Sequence, residues 1–150
     1  MTTTTGLPRV QLALNVDDVD AAVAFYRRLF GTEPAKRRPG YANFAVDSPP
    51  LKLVLIENPG SGGSLNHLGV EVAQRQDVAD AQARLADEGL PTSVEDDVTC
   101  CYAVQDKVWV TDPDGAGWEV YTVTDELLAL GDESASRAPT TTATGAACCT

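Results

Sequence analysis

An internal repeat constrains the fold of this chain more than any other feature of its sequence. The segment VQLALNV (residues 10–16) recurs as NHLGVEV (residues 66–72), so Gln11 and His67 occupy equivalent positions at an offset of 67 − 11 = 56 residues. In both halves, this strand-like segment is followed by a helical pattern and then by about three further strand-like segments. Neither half could bury its sheet face alone, so the two are expected to pack together as one domain.

Capping and turn residues bound the elements of the two halves. The first helix is expected to begin at Asp17 or Asp18 and to end at Gly31, and the second to span residues 77–88 before Gly89. The expected strands are residues 9–16, 32–36, 41–47 and 51–57 in the first half and residues 66–72, 92–95, 99–105, 108–111 and 118–123 in the second. This pattern predicts one domain over residues 1–131, with modules at about 8–60 and 64–124, and a small, polar, disordered tail over residues 132–150.

Composition excludes several classes of function. Lys and Arg together number 11 and Asp and Glu 22, so the net charge of 11 − 22 = −11 disfavours nucleic acid as a partner. No apolar run approaches the roughly 20 residues of a membrane helix. The N-terminal MTTTTGLPRV lacks the basic and apolar regions of a secretory signal. We therefore expect a cytoplasmic protein with no nucleic-acid and no membrane partner.

The four cysteines form two adjacent pairs, Cys100–Cys101 and Cys148–Cys149. In a reducing cytoplasm they are expected to be free thiols, open to metal, metalloid or redox chemistry. Adjacent thiolates suit thiophilic centres such as trivalent arsenic, cadmium or Cu(I). Neighbouring residues of a regular strand point to opposite faces, so the backbone must turn or bulge if both sulfurs of one pair are to reach one atom. We expect a mobile loop at Cys100–Cys101 that leads into a strand.

The paired βαβββ modules, with LNVDDVDAAVAFYRRLFG as the first strand and helix, resemble the vicinal oxygen chelate superfamily of glyoxalases, extradiol dioxygenases and antibiotic-resistance proteins. The resemblance covers about residues 8–124 and implies an α+β fold in which two modules form a cup-shaped mixed β-barrel around a divalent metal. The metal positions of the family fall on Gln11, His67 and Glu119. The repeat supports the first two, and a carboxylate in the apolar strand GWEVYTV needs a positive partner, which a metal supplies. The alternative for Gln11 is an ordinary polar strand residue.

A fourth family position falls in LKLVL, residues 51–55. Aligning LKLV with WEVY places Lys52 opposite Glu119, and lysine is a poor ligand because its ammonium must first lose a proton. The remaining ligands leave coordination positions open, which suits Fe(II) that must bind both a substrate and O₂. The resemblance to the superfamily thus implies Fe(II) as cofactor and O₂ as co-substrate.

One branch of the superfamily is more similar still. The segments RVQLALNVDDVD, PAKRRPGYANFAV, PPLKLVLIENPG, LNHLGVEV, TCCYAVQDKVWVTDPDG and WEVYTV resemble organoarsenical lyases of the ArsI type and cadmium-induced CadI proteins. This implies an enzyme that cleaves the carbon–arsenic bond of trivalent methylated or aromatic arsenicals and releases arsenite. Cys100 and Cys101 would hold the arsenic next to the iron, and the protein would be a monomer or a homodimer.

Other side chains have two interpretations each. Lys107 could lower the pKa of the thiols or steady a developing anion, which would make it catalytic, or it could be a surface charge. Four aromatic residues could line a pocket for an aryl group or simply pack the core, which is the default: Phe44, Tyr102, Trp109 and Tyr121. Cys148 and Cys149 could be accessory thiols that capture the arsenical, or part of a dispensable tail.

Two rival functions remain open. The vicinal thiols could sequester Cd(II) or arsenite without any chemistry. An extradiol dioxygenase or a glyoxalase is the other rival, but the single histidine, His67, and the lysine at the fourth position argue against both.

Overall fold

A computed structural model describes residues 7–100 and 102–126 of the chain. Eight strands and two helices follow one another in the order β1 (Arg9–Val16), α1 (Val19–Phe30), β2 (Lys36–Arg38), β3 (Tyr41–Val46), β4 (Leu51–Glu57), β5 (Leu65–Glu71), α2 (Arg75–Asp87), β6 (Ser93–Cys100), β7 (Ala103–Thr111) and β8 (Gly117–Glu126). This is the βαβββ pattern twice over. None of the described helices is long and apolar enough to cross a membrane.

The strands form one mixed sheet in the order β2-β3-β4-β1-β5-β8-β7-β6. In each module the first strand pairs in parallel with the last, β1 with β4 and β5 with β8, and the two first strands pair antiparallel at the centre. The central register reproduces the repeat, because the pairs Gln11–Gly69 and Ala13–His67 exchange when each residue is shifted by 56. The sheet curls into a half-barrel with two helices, which confirms the α+β fold and its two βαβββ modules.

Helix α1 is capped at both ends and packs its apolar face against the sheet of the first module. The side chain of Asp18 accepts hydrogen bonds from the backbone N–H groups of Asp20 and Ala21, and Gly31 ends the helix with a left-handed φ of 64°. Its buried face packs on a core cluster that includes Phe44 and leucines of β4. Phe44 therefore belongs to the core beneath the helix, as the default interpretation expects.

Several predicted boundaries are wrong. Residues 99–105 are not one strand, since β6 ends at Cys100 and β7 runs unbroken from Ala103 to Thr111. The predicted loop is wrong for the first cysteine of the pair, because Cys100 is the last residue of β6 and pairs with Ala103. The strand expected at 32–36 is β2 at Lys36–Arg38. Helix α2 begins before the predicted residue 77 because the carboxylate of Asp77 accepts a hydrogen bond from the backbone N–H of Gln74 at 3.1 Å.

Some predictions lie outside the described residues. They are those that concern Cys101, Cys148, Cys149 and the tail over residues 132–150. The division into a domain over residues 1–131 and a tail also stays a prediction.

Candidate metal and thiol site

The structure brings together the three side chains that the family resemblance predicts as metal ligands. Gln11 of β1, His67 of β5 and Glu119 of β8 are all buried, with 4%, 7% and 3% of their surfaces exposed. Gln11 Nε2 lies 2.8 Å from Glu119 Oε1 and 3.2 Å from His67 Nε2, and that imidazole nitrogen lies 3.4 Å from the same carboxylate oxygen. Their functional atoms thus converge on one point between the two modules.

A hydrogen bond fixes the tautomer of His67. Its Nδ1 lies 2.7 Å from Asn66 Oδ1, and the other end of that amide, Nδ2, donates to Asn15 Oδ1 at 2.9 Å. Because Asn66 presents an acceptor, His67 Nδ1 carries the proton. In the neutral ring, Nε2 then keeps its lone pair and directs it at Gln11 and Glu119, as a metal-binding histidine requires.

The Glu119 carboxylate is held ionised although it is buried. Burial alone would raise the pKa of this carboxyl, but the hydrogen bond that a protonated His67 ring donates from Nε2 and the charge of Lys107 outweigh that effect and lower the pKa of Glu119 to about 2. Lys107 Nζ donates to Glu119 Oε2 at 2.9 Å, while Oε1 faces Gln11 and His67. One carboxylate oxygen is therefore occupied by the lysine and the other faces the candidate metal position.

Gln11 is oriented by a second buried network. Its Oε1 accepts a hydrogen bond from the hydroxyl of Tyr121, which also lies 3.3 Å from Glu71 Oε2. Glu71 in turn pairs with Arg9 at 3.0 Å. A half-turn of the Gln11 amide would present its oxygen to His67 and Glu119 and its Nε2 to the Tyr121 hydroxyl, which can accept while it donates to Glu71.

These donors fit a divalent cation. An imidazole with a free lone pair, an ionised carboxylate and an amide oxygen are the ligand types that such ions take, and the lysine charge would then share the carboxylate with the metal. Among residues 7–100 and 102–126, no three His, Cys, Asp or Glu side chains cluster as a metal site, and the candidate set contains only two residues of those types. The third donor is the amide of Gln11, so the assignment of all three as ligands stays a prediction.

Lys107 is not a surface charge, and that interpretation is wrong. Its side chain is completely buried, and Nζ lies 5.6 Å from the ring centre of Trp109 and 5.8 Å from that of Tyr121. Both faces attract a cation, which helps to offset the loss of hydration. Because Lys107 points inward from β7, its ammonium group lies next to the Glu119 carboxylate.

The predicted equivalence of Lys52 and Glu119 is also wrong. On the first module Gln11 pairs with Lys52 and Ala13 with Val54, and on the second Gly69 pairs with Glu119. Because Gly69 is the repeat equivalent of Ala13 (69 − 56 = 13), the equivalent of Glu119 is Val54. The fourth position is thus occupied by the apolar side chain of Val54 and not by Lys52. The conclusion that this position supplies no ligand is unchanged. Lys52 Nζ lies 3.7 Å from Glu71 instead.

Gly69 is a site residue that sequence reasoning missed. A Cβ atom built there would lie 2.9 Å from both Cγ and the backbone oxygen of Glu119, and 3.3 Å from Gln11 Nε2. Real Cβ atoms do not come so close to other heavy atoms, so the absence of a side chain at residue 69 lets the carboxylate lie beside Gln11. The alternation of NHLGVEV, with its glycine two residues after the histidine on the same face, is the signal that could have indicated this.

Cys100 lines the same small cavity as the candidate metal ligands. It is 5% exposed, and the cavity that it shares with Gln11, His67 and Glu119 has a volume of about 10 Å³. That volume corresponds to about one water molecule. Lys36 of β2 also lines this cavity and donates to the backbone oxygen of Tyr102 at 3.3 Å, so the end of the β6–β7 hairpin meets the first module here.

The remaining aromatic candidates surround this site in different ways. Trp109 stands edge-on to the ring of His67, with 5.3 Å between ring centres, and Tyr102 meets Tyr41 in the same manner at 5.9 Å. Tyr121 lies behind Gln11, as described above. Burial and the nearby Glu71 carboxylate raise the pKa of the Tyr121 phenol, so it acts as a neutral hydrogen-bond donor.

Comparison with known proteins agrees with this architecture. The chain is 54% identical to the trivalent organoarsenical cleaving enzyme of Thermomonospora curvata. The alignment of 151 residues covers 95% of this chain and 100% of that protein. It is 66% identical over 117 residues to the cadmium-induced protein CadI of Mycobacterium tuberculosis, covering 78% and 77% of the two chains. Among solved structures, the Mn(II)-bound glyoxalase from Novosphingobium aromaticivorans has the same fold, with a TM-score of 0.57 and 22% identity over 80% of this chain and 42% of that one.

The family itself follows from a match over most of the described chain. Residues 9–120 match the model of the Glyoxalase/Bleomycin resistance protein/Dioxygenase superfamily, and this range runs from the start of β1 into β8 and contains all three candidate metal ligands. Relatives named as organoarsenical cleaving enzymes and CadI agree with the branch that the sequence motifs indicate. The chain is a member of the Glyoxalase/Bleomycin resistance protein/Dioxygenase superfamily, in the branch that contains organoarsenical cleaving enzymes and CadI proteins.

Proposed function

We propose that this chain is a non-heme iron-dependent, dioxygenase-like lyase that cleaves the carbon–arsenic bond of trivalent organoarsenicals and releases arsenite. The observation that carries the proposal is that a thiol, Cys100, and the buried group of Gln11, His67 and Glu119 line one cavity. Similarity over nearly the whole chain to an enzyme named for organoarsenical cleavage supports the choice of substrate.

Gln11, His67 and Glu119 would hold Fe(II), and the ion would supply the activation of O₂. Asn66 keeps the proton on His67 Nδ1 and so keeps Nε2 available as a ligand. Lys107 holds Glu119 Oε2, so Oε1 is the carboxylate oxygen that would hold the ion. With three protein donors, other positions stay available for the small molecules of the reaction.

Cys100, together with its neighbour Cys101, would bind the arsenic. Each thiol replaces one hydroxyl of R–As(OH)₂: an arsenic–oxygen bond breaks, an arsenic–sulfur bond forms, and the thiol proton leaves with the hydroxyl as water. No electrons are exchanged in this step. The bound arsenic would then lie beside the three candidate ligands, so a bimolecular encounter would become a positioned reaction.

Other groups take supporting roles in this proposal. Lys107 steadies negative charge in the cavity, and its contact with Glu119 makes it a positioning residue for the ligand set. Cys148 and Cys149 would be accessory thiols rather than essential ones. The reduced thiols that the chemistry requires favour the cytoplasm as the location.

Sequestration is the second candidate, and the 66% identity to a protein named for induction by cadmium favours it. A protein of this kind would bind Cd(II) or arsenite through its thiols without breaking a carbon–arsenic bond. The buried ligand group beside Cys100 favours the lyase, because binding a thiophilic ion through sulfur alone does not need it.

Two substitutions separate these functions. His67→Ala should abolish arsenite release while the protein still binds a trivalent arsenical, whereas Cys100→Ser should weaken arsenical binding and leave Fe(II) binding intact. The measurements are arsenite release by chromatography with mass detection, and anaerobic titrations of each ligand. A His67→Ala variant that keeps its arsenite release would refute the lyase proposal.

A further inference from the structure

Gln105, which lies beside Cys100, has a buried side-chain oxygen without a hydrogen-bond partner among the described residues. The residue is 5% exposed and lines the cavity of the candidate site. Its Nε2 donates to the backbone oxygen of Cys100 at 2.9 Å. Its Oε1 is buried, and no donor among the described residues reaches it. Buried amide oxygens nearly always have a hydrogen-bond partner, so this one marks a place for a donor that the described residues do not supply.

The pairing between β7 and β8 shifts beside this amide. Gln105 pairs with Val123 of β8 while its neighbour Val104 pairs with Asp125, so Thr124 has no partner in the ladder and the register shifts between Val104 and Gln105. Such irregularities re-aim side chains, and they are frequent next to active sites. On β7 itself, the regular alternation of a strand places Ala103, Gln105 and Lys107 in one inward row, which runs from Cys100 to Glu119.

We propose that Gln105 positions the substrate, with Oε1 accepting a hydrogen bond from a hydroxyl on trivalent arsenic as Cys100 captures it. The chemistry of the ligand rests on the proposed function. In the first exchange, R–As(OH)₂ and the Cys100 thiol give R–As(OH)–S–Cys100 and water. One hydroxyl remains on arsenic, and this O–H is the donor that the buried oxygen of Gln105 lacks.

The hydrogen bond has a defined place in the capture sequence. It forms when the arsenic carries one thiolate and one hydroxyl, and it is lost when a second thiol replaces that hydroxyl. Gln105 therefore orients arsenic in the intermediate stage of capture. Because Nε2 of the same amide holds the Cys100 carbonyl, the acceptor and the capturing thiol are fixed relative to one another.

The test compares two reactions of Cys100 in the metal-free, reduced, full-length protein. Capture of phenylarsonous acid and alkylation by iodoacetamide are each followed at Cys100 by peptide mass spectrometry, in the wild type and in Gln105→Met, which keeps the length of the side chain without polar atoms. We expect capture of the arsenical to slow about tenfold, the effect of a lost hydrogen bond to a buried acceptor. Alkylation, which involves no hydroxyl donor, should change less than about twofold.

Each other outcome overturns the inference. Equal slowing of both reactions would show that Gln105 only holds the Cys100 backbone, and unchanged capture would show that its oxygen does not touch the substrate. Wild-type protein that does not capture the arsenical at Cys100 would refute the proposed function as well. If Gln105→Met does not fold, Gln105→Glu takes its place, because this variant keeps an acceptor oxygen. At a pH where the glutamic acid side chain is protonated, Gln105→Glu should capture the arsenical within about threefold of the wild-type rate. A loss of about tenfold under these conditions contradicts the proposal.

Discussion

Replacing Lys107 by Met should destabilise the metal-free protein severely, and a divalent metal should reverse much of that loss. Lys107 is completely buried, and its ammonium lies 2.9 Å from Glu119 Oε2. Methionine fills a similar volume without the charge. The substitution therefore leaves the Glu119 carboxylate buried without its cation, and a metal ion bound by His67 and Glu119 would supply the missing positive charge.

The expected size follows from the burial of this ion pair. Removing one partner of a buried pair costs about 3–5 kcal/mol, because the remaining charge is no longer compensated. For a domain of this length, such a loss corresponds to a fall of roughly 10–20 °C in melting temperature. Lysine also repels a cation at the neighbouring site, so its removal should make the metal-induced rise in melting temperature larger than that of the wild type.

Thermal unfolding at neutral pH, with and without Mn(II) as a redox-stable substitute for Fe(II), measures both effects. Lys52→Met is the matched control, because Lys52 is also a buried lysine of the cavity wall, but its partner Glu71 keeps an ion pair with Arg9 at 3.0 Å. It should cost less, and Mn(II) should not rescue it beyond the wild type. A Lys107→Met variant as stable as the wild type, or one with a metal-induced shift no larger, would refute the reasoning.

Three further predictions concern the same ligand group. Gly69→Ala should lower Mn(II) affinity at least tenfold and cost about 1–3 kcal/mol in unfolding free energy, because its Cβ would lie 2.9 Å from Glu119 Cγ. The control is Gly117→Ala, whose Cβ would lie 3.6 Å from the nearest atom of the Trp109 ring. This variant should leave the Mn(II) affinity measured by calorimetry unchanged. Asn66→Leu should weaken Mn(II) binding by about 10–100-fold, since it removes the partner that holds the proton on His67 Nδ1, and equal affinities in a calorimetric titration would contradict this. In acid titrations of the metal-free protein, the contribution of Glu119 to stability should be complete above its ordinary pKa of 4.5 and lost as the pH falls toward about 2. In Glu119→Gln, the free energy of unfolding should depend less steeply on pH over that range. A slope equal to that of the wild type would argue against the depressed pKa.

The repeat explains how much of the site can be predicted from sequence. Two copies of one strand pattern at a fixed offset make Gln11 and His67 equivalent, and the antiparallel pairing of β1 with β5 in the structure makes them neighbours. The resemblance to the superfamily added Glu119, and the cost of a carboxylate in an apolar strand supported that assignment. Local pattern and tertiary pairing agree at these positions, so sequence reasoning succeeds there.

The failures have a common physical origin in how the strands pair in the sheet. Lys52 was matched to Glu119 by apolar pattern, but the pattern tolerates a shift of two residues, and only pairing in the sheet shows that Val54 is the equivalent. Lys107 fell between the strands expected at 99–105 and 108–111, with a surface charge as one of its two interpretations, and Gln105 was the last residue of the first of these strands. They are buried because β7 is one long strand that lies between β6 and β8, which its sequence does not signal.

The central claim is that iron held by Gln11, His67 and Glu119 and arsenic held at Cys100 react in one cavity. The most direct measurement is a single-turnover experiment in which anaerobic, Fe(II)-loaded protein receives an equimolar trivalent organoarsenical and then a pulse of O₂. Arsenite should approach the amount of active protein, and almost none should form when Fe(II) or O₂ is omitted. Arsenite that forms equally without iron, or an arsenical that stays intact on fully loaded protein after O₂, would contradict the claim.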